Sequence, residues 1–410
     1  LILGVFKKNS SSLINNLSVL SLVGALILIL NYPLEINLNL FNGGHKIDYL
    51  SSYMKILTIL SGIFILITSS KFLKVLKLFQ IEYPILILSS ILGMMVMISS
   101  NDLIVFYLGL ELQSLALYVL ASFNRDQIKS SEAGLKYFVL SALSSGLLLY
   151  GCSLIYGFSG TTNFEEISII MNNNQYGLTF GIVFILVGLA FKISAVPFHM
   201  WAPDVYEGSP TSVTLFFAVA PKIAALTVFI RFLYVPFLNV IDQWQLIIVF
   251  LSVASMVFGA VAAIGQNNLK RLIAYSSIGH MGYALAGLCV GTNEGIQSSV
   301  LYITIYLVMN FGFFSCLFML KRDNKYHVNI DDLSGLSKNH PLIALSLLVT
   351  LFSLAGIPPL AGFFAKFYIF KAVLQQSMYY LAIVGLLSTV VAAFYYLRIV
   401  KIMYFDSEKE

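Results

Sequence analysis

Five ionisable side chains fall inside long apolar stretches of the sequence, where a charge is expensive. Glu111 lies in the middle of LGLELQSLALY, and Lys222 directly follows a proline at the centre of another apolar stretch. Lys192 and Lys366 each lie a few residues from a proline, and His280 lies midway along a further stretch. A charge at the centre of a membrane helix costs roughly 2.5–3.5 kcal/mol on insertion scales. We therefore predict functional roles for the glutamate and the three lysines, whereas His280 fits a hydrogen-bonded packing role equally well.

These residue types suit the transfer of protons or small cations. Burial destabilises the charged form of a carboxyl and of an ammonium group, so both can exchange protons near neutral pH. A nearby opposite charge reverses that effect, and charges interact strongly where the dielectric constant is low. One glutamate and a series of lysines can therefore switch by making or breaking an ion pair. Proline-interrupted helices add free backbone carbonyls at the same depth.

The composition places these residues in a membrane protein. Of 410 residues, 59% are hydrophobic and 10% are charged, whereas soluble domains carry about 25% charged residues. The cysteines stand singly at Cys152, Cys289 and Cys316, which argues against iron–sulfur, haem-attachment and zinc sites. Since no Gly-rich nucleotide loop follows a strand pattern either, we expect no cofactor in this chain and no nucleic-acid partner.

The apolar pattern predicts an all-α integral membrane protein with about twelve transmembrane helices. Most of the apolar segments have the roughly 20 residues that cross a bilayer. The eleventh segment is longer and is interrupted by Gly-Ile-Pro-Pro, and we expect the sixth to break near residues 192–197 as well. The predicted spans are 17–30, 53–68, 81–99, 103–121, 135–158, 177–196, 210–235, 244–264, 272–290, 298–320, 342–375 and 378–403.

The distribution of basic residues gives an independent topology. With twelve spans, sixteen Lys and Arg residues fall on one side of the membrane, and the loops of the other side hold Lys46 alone. Because basic loops stay on the inner side, both ends of the chain are predicted there. Lys55, Arg231, Lys371 and Arg398 lie near span ends, where we expect them to snorkel to water. The sixteen are Lys7, Lys8, Lys71, Lys74, Lys77, Arg125, Lys129, Lys136, Lys270, Arg271, Lys321, Arg322, Lys325, Lys338, Lys401 and Lys409.

The spans also indicate an internal repeat. Spans three to seven and eight to twelve form two sets of five, and an odd number of crossings inverts the second set relative to the first. The second member holds Glu111 in one set and His280 in the other, and the fourth holds Lys192 and Lys366. We therefore predict N-terminal helices over 1–80, a first antiporter-like repeat over 81–235 and a second over 244–405.

Several stretches resemble a known family over nearly the whole chain. They are GLELQSLALYVLA, EAGLKYFVLSALSSGLLLYG, AFKISAVPFHMWAPDVYEGSPTSVT, NLKRLIAYSSIGHMGY and FSLAGIPPLAGFFAKFYIF. These segments resemble NADH dehydrogenase subunit 2 of respiratory complex I, the bacterial subunit N type, which is an antiporter-like membrane subunit. PDVYEGSPT, and lysine at 366, resemble this subunit more than its relatives, subunits 4 and 5. The family has fourteen helices, of which we expect the first and last to be absent here.

The resemblance implies roles for individual residues. Glu111 and Lys192 match the family's ion pair, Lys222 matches its relay lysine, and Lys366 matches the terminal lysine of the second broken helix. His199 and His280 match polar residues that link these groups. We expect Glu111 within reach of Lys192 directly or through one water. Lys192, Lys222, His280 and Lys366 are expected at similar membrane depth.

The resemblance also implies a division of labour in which other subunits oxidise NADH and reduce ubiquinone, while this chain moves protons. Expected partners are the other membrane-arm subunits, including the subunit 4 type neighbour, and lipids. AT-rich residue usage favours a mitochondrial inner membrane, with a bacterial inner membrane as the alternative. A subunit of a multi-subunit sodium/proton antiporter and a non-pumping structural module stay open as other functions.

Overall fold

A computed structural model describes residues 10–33, 37–170, 176–322, 325, 326 and 328–407. Of the basic residues counted above, Lys7, Lys8 and Lys409 lie outside the described residues. The described chain is almost entirely helical, with two short antiparallel pairs, β1 (Leu38–Leu40) with β2 (His45–Ile47) and β3 (Lys321–Arg322) with β4 (Lys325–Tyr326).

The helices of the described chain number sixteen, besides 3-10 turns at Leu238–Val240 and Ile330–Leu333. They are α1 (Ser11–Leu30), α2 (Tyr49–Val75), α3 (Glu82–Ile98), α4 (Leu103–Ala121), α5 (Ile128–Ser159), α6 (Phe164–Ile170), α7 (Tyr176–Lys192), α8 (Trp201–Gly208), α9 (Thr211–Tyr234), α10 (Ile241–Ile264), α11 (Leu269–Leu288), α12 (Asn293–Met319), α13 (Leu336–Asn339), α14 (Pro341–Ala355), α15 (Ala361–Gln375) and α16 (Tyr379–Phe405).

The predicted membrane fold is confirmed. Eight helices of the described chain are long and apolar enough to cross a membrane, and α3, α7 and α14 are shorter apolar helices. Each predicted span coincides with a helix or with two half-helices. In the sixth predicted span, helix α7 ends at Lys192, and α8 begins only at Trp201. The eleventh span is divided into α14 and α15 by residues 356–360. Both helix breaks therefore lie where the prolines predicted them.

Local sequence sets the helix ends. Asp102 begins α4 by accepting hydrogen bonds from the backbone nitrogens of Ile104 and Val105, which satisfies donors that have no partner inside the helix. Asn268 caps α11 in the same way. Gly160 ends α5 with a φ of +73°, a conformation that glycine adopts without strain.

Contacts divide the chain into two compact units. The first holds the described residues up to Ile193 together with Gly208–Gln243, and the second holds Ser194–Glu207 together with the described residues from Trp244 onward. Glu111, Lys192 and Lys222 belong to the first unit. His199, His280 and Lys366 belong to the second.

The two sets of five helices share a pattern of internal packing. In the first set, α5 packs against α4 and α7, and α9 packs against α4 and α7. In the second, α12 packs against α11 and both halves of the broken helix, and α16 packs against the same three helices. The third and fifth members thus enclose the broken helix in each set.

Glycines allow the first and second helices of each set to approach closely. A Cβ on Gly93 of α3 would lie 2.5 Å from the backbone nitrogen of Gln113 on α4. A Cβ on Gly259 of α10 would lie 2.6 Å from the backbone nitrogen of Gly279 on α11. Small residues at such crossings are typical of membrane helix pairs.

The expectation that Arg231 snorkels to water is wrong. Its side chain is only 2% exposed and donates to Asp48 at 2.6 Å and to the Ile98 carbonyl at 2.9 Å. Burial raises the pKa of Asp48, but the Arg231 guanidinium and hydrogen bonds from Ser51 outweigh it, so the pKa of this carboxyl is lowered overall. Arg231 therefore ties α9 to the start of α2 and the end of α3.

Candidate functional site

Lys192 is held by hydroxyl groups of two other helices. It is the last residue of α7, and its side chain is buried. Its ammonium donates to Ser114 Oγ on α4 at 2.7 Å and to Ser141 Oγ on α5 at 2.8 Å. The Tyr118 hydroxyl donates to the same Ser141 Oγ at 2.7 Å. A buried cation is thus stabilised in this structure by neutral oxygens.

Glu111 lies one turn before Ser114, on the same face of α4. Its Oε1 atom is buried and has no hydrogen-bond partner among the described residues. Of the ion pairs between described residues, none joins Glu111 to Lys192. The Lys192 ammonium contacts Ser114, which lies one turn further along α4 from Glu111. The two charges are therefore neighbours without direct contact in this structure, and their pairing stays a prediction.

Lys222 lies at the centre of a helix that is buried on all sides. Every residue of α9 from Thr211 to Leu233 is buried, and Lys222 itself is 0% exposed. Helix α9 packs against α2, α3, α4 and α7. This packing shields the Lys222 ammonium from lipid and places it in the same compact unit as Glu111 and Lys192.

Lys366 sits at the break of the second interrupted helix. Its ammonium donates to the carbonyl of Ala355 at 3.0 Å and more distantly to that of Leu354 at 3.4 Å. These carbonyls end α14, where the helix dipole is negative. The ammonium also lies 5.0 Å from the centre of the Tyr283 ring, within the range of a cation–π interaction. Lys366 is therefore another buried lysine held by uncharged groups.

His280 lies between two tyrosine hydroxyls. Its Nδ1 is 2.6 Å from the Tyr302 hydroxyl, and its Nε2 is 3.1 Å from the Tyr396 hydroxyl. The Tyr396 hydroxyl also forms a hydrogen bond with Ser276. Which ring nitrogen donates depends on the tautomer. These bonds suit a packing role, and the same chain of hydroxyls and imidazole can also pass a proton.

Tyr283 lies beside both His280 and Lys366. Its ring centre is 6.4 Å from that of His280, and its hydroxyl forms a 2.9 Å hydrogen bond with Thr389. Helix α11 thus carries a histidine and an aromatic ring that both face polar partners inside the second unit.

His199 lies in the segment between α7 and α8, which belongs to the second unit. Its ring centre is 4.5 Å from that of Phe258. Its Nδ1 atom is buried and has no hydrogen-bond partner in the part of the chain that the structure describes. Its proposed role as a link between the other groups stays a prediction, as does the shared depth of the three lysines and His280.

Sequence reasoning missed the partners of these charged residues. Ser114 and Tyr118 follow Glu111 at spacings of three and seven, which places them on one face of a helix, so their positions could have been found. Ser141 comes from another helix and could not. Tyr302 and Tyr396 carry no signal beyond that of ordinary aromatic core residues.

A family model described as the transmembrane region of NADH:quinone oxidoreductase and Mrp antiporters matches residues 100–392. The chain belongs to this family. All six predicted site residues lie inside the matched region. The resemblance seen in the sequence is confirmed.

Two similar bacterial proteins carry the same subunit name. NADH-quinone oxidoreductase subunit N of Pelagibacter ubique is 77% identical over 410 residues, which is 100% of this chain and 87% of that protein. The subunit N of Rhodospirillum rubrum is 53% identical over 415 residues, covering 100% of this chain and 85% of that protein.

Solved structures show the same fold. A chain of respiratory complex I from Thermus thermophilus with bound aureothin has a TM-score of 0.85 and 30% identity, covering 100% of this chain and 88% of that one. A chain of the Mrp complex from Dietzia sp. has a TM-score of 0.89 and 22% identity, covering 100% and 78%. At 22% identity, the match to the Mrp chain supports a shared fold and nothing further.

Proposed function

We propose that this chain is a proton-translocating membrane-arm subunit of a respiratory NADH:quinone oxidoreductase. Its relatives of 77% and 53% identity carry the name of subunit N of that enzyme. Other subunits would oxidise NADH and reduce quinone, and this chain would use the released energy to move protons. The proposed proton-transfer residues are Glu111, Lys192, His199, Lys222, His280 and Lys366.

One observation carries the proposal: Lys192 and Lys366 are buried at helix breaks and are held by uncharged oxygens. Hydroxyl and carbonyl oxygens hold an ammonium in place, but they stabilise its charge less than a carboxylate does. A buried lysine in such a setting can lose its proton and regain it. A tight ion pair would keep the proton in place, so these contacts suit exchange.

The charges suggest a cycle for the proton. Pairing of Glu111 with Lys192 would stabilise the protonated lysine, and opening of the pair would let Lys192 release its proton. The proton would then pass by way of Lys222 and His280 to Lys366 and leave on the outer side. Moving one charge across 100 mV costs about 2.3 kcal/mol, so the cycle needs the energy of quinone reduction.

The names of the relatives support a proposal for the partners and the membrane of this chain. We propose that it assembles with other membrane-arm subunits, including a subunit 4 type neighbour, and with lipids, and that it holds no cofactor itself. The relatives named above are bacterial, which favours a bacterial inner membrane over the mitochondrial membrane expected from residue usage.

A sodium/proton antiporter subunit is the main alternative. The matched family also includes Mrp antiporters, whereas the relatives of higher identity carry the subunit N name. Dependence of transport on sodium in the purified complex would favour the antiporter.

The test of the proposal is Lys222→Ala in the assembled complex, with Lys371→Ala as the control. Lys222 is fully buried, whereas the Lys371 side chain is exposed on α15. We expect Lys222→Ala to reduce protons pumped per NADH oxidised at least tenfold and Lys371→Ala to have little effect. Pumping is measured in inverted vesicles with an acridine dye. Normal pumping by a fully assembled Lys222→Ala complex would instead support a structural role.

A further inference from the structure

The two serines that hold Lys192 differ in their other hydrogen-bond partners. Ser114 Oγ donates to the Leu110 carbonyl of its own helix at 2.6 Å, as buried helix serines commonly do. Ser141 Oγ accepts from Tyr118 as well as from Lys192. Two donors from different helices thus converge on this single oxygen.

Tyr118 is itself held in place by aromatic neighbours. Its ring packs edge-to-face against Tyr137 at 5.1 Å and against Phe138 at 5.5 Å. Edge-to-face pairs fix the orientation of a ring. The Tyr118 hydroxyl therefore points at Ser141 with little freedom, and the position of Ser141 Oγ is set by α4 as well as by its own helix α5.

This arrangement competes with Glu111 for the same ammonium. Lys192 contacts the hydroxyls, and Glu111 Oε1 has no hydrogen-bond partner among the described residues. Glu111 as a whole is partly buried, but its Oε1 atom is buried without a partner, and such an atom costs free energy, so an ammonium that left the hydroxyls would be drawn to it.

We propose that Ser141, fixed by the Tyr118 hydroxyl, is a positioning residue that holds the Lys192 ammonium away from Glu111 and so stabilises the open form of this pair. The inference rests on the proposed function in one respect: opening of the pair is what frees the Lys192 proton. Removing either hydroxyl weakens the contact that competes with Glu111, and the pair closes.

The effect should be measurable because the lost bond is made to a charged group. Loss of such a hydrogen bond shifts an equilibrium by about tenfold. In Ser141→Ala, which loses the bond to the Lys192 ammonium, we expect the ratio of open to paired forms to fall by about that factor. Tyr118→Phe loses the neutral bond that fixes Ser141, so there we expect a smaller fall of about fivefold. Proton pumping should fall threefold to tenfold. Tyr118→Phe keeps the ring and its aromatic contacts, so it removes only the hydroxyl.

The experiment uses the assembled complex in membrane vesicles. The carboxylate infrared band of Glu111 is assigned by its loss in Glu111→Gln and is then recorded in Tyr118→Phe and Ser141→Ala. We expect the band to shift to the position of an ion-paired carboxylate in both variants. Ser141→Thr, which keeps the hydroxyl, should restore the original band. Ser153→Ala is the control, since Ser153 lies on the same helix and, among the described residues, its hydroxyl bonds only to the Tyr150 carbonyl.

A double variant separates positioning from a general packing role. If the hydroxyls act by keeping Lys192 from Glu111, then Tyr118→Phe should cause no further loss of pumping in a Glu111→Gln background. An unshifted Glu111 band in Tyr118→Phe, or losses that multiply in the double variant, would overturn the inference. Failure of the proposed function would look different: Glu111→Gln would pump normally, whereas the infrared band reports the Lys192 position whether or not protons move.

Discussion

Replacing Gly356 with alanine should displace the Lys366 ammonium from its carbonyl acceptors. Gly356 ends α14 with a φ of +86°, where a residue with a side chain is strained by roughly 1–2 kcal/mol. A Cβ at this position would lie 3.0 Å from Lys366 Cδ and 3.2 Å from Lys366 Nζ. The main chain fixes the position of residue 356, whereas the Lys366 side chain is flexible, so the Lys366 side chain must move.

The size of the effect follows from the contacts that would be lost. A hydrogen bond from a charged donor contributes about 1.5–3 kcal/mol. Weakening the bond from Lys366 to the Ala355 carbonyl by about 1 kcal/mol would lower the occupancy of this position about fivefold. We therefore expect Gly356→Ala to reduce proton pumping about fivefold while the complex still assembles.

Gly160→Ala is the matched control. Gly160 also adopts a left-handed conformation, with a φ of +73°, but apart from its chain neighbours no described residue has an atom within 4 Å of its added Cβ. Both variants carry the same kind of backbone strain, and only one crowds a lysine. The assay compares pumping per NADH oxidised in vesicles with equal amounts of assembled complex. Equal pumping by the two variants would show that the position of Lys366 against α14 does not matter.

Three further predictions concern other groups. Glu111→Gln should lower pumping severalfold with assembly intact, because glutamine keeps the shape of the side chain. Normal pumping by this variant would instead indicate that the Glu111 carboxylate faces lipid and takes no part in proton transfer. Asp48→Asn should destabilise the protein by about 3 kcal/mol, since it leaves Arg231 buried without its partner. Because the pKa of Asp48 is lowered in the folded state, its contribution is present above about pH 4 and is lost as pH falls further, so the thermal midpoints of variant and wild type should converge in acid. Tyr302→Phe removes a hydrogen bond to His280 of about 1 kcal/mol, and pumping should fall about fivefold; unchanged pumping would leave His280 a packing residue.

Much of the fold could be predicted because lipid imposes simple rules on a sequence. Apolar segments of sufficient length become helices, and a proline interrupts them, so both breaks were found within a few residues. The helix bounds were less accurate: α5 begins at Ile128, whereas its span was predicted from 135. Such ends depend on caps and on loops that extend beyond the apolar segment.

The charged residues of the candidate site could be predicted, but their partners could not. A charge inside an apolar stretch is visible in the sequence because it is rare and costly. The hydroxyls that hold Lys192 come from other helices: Ser141 is 51 positions away in the sequence and Ser114 is 78 positions away. Arg231 shows the same limit: nothing in the sequence near it indicates Asp48, 183 positions away.

Two arginines of this chain and the two lysines at the helix breaks have different partners, and the difference supports proton transfer. Arg231 pairs with Asp48 in the first unit, and Arg271 donates to two carboxylates in the second. A guanidinium keeps its proton at any physiological pH, so these pairs are permanent and hold helices together. Lys192 and Lys366 donate instead to hydroxyls and carbonyls. A carboxylate partner would stabilise a purely structural cation more strongly than a neutral oxygen does. The neutral partners at both helix breaks therefore indicate lysines that gain and lose a proton during function.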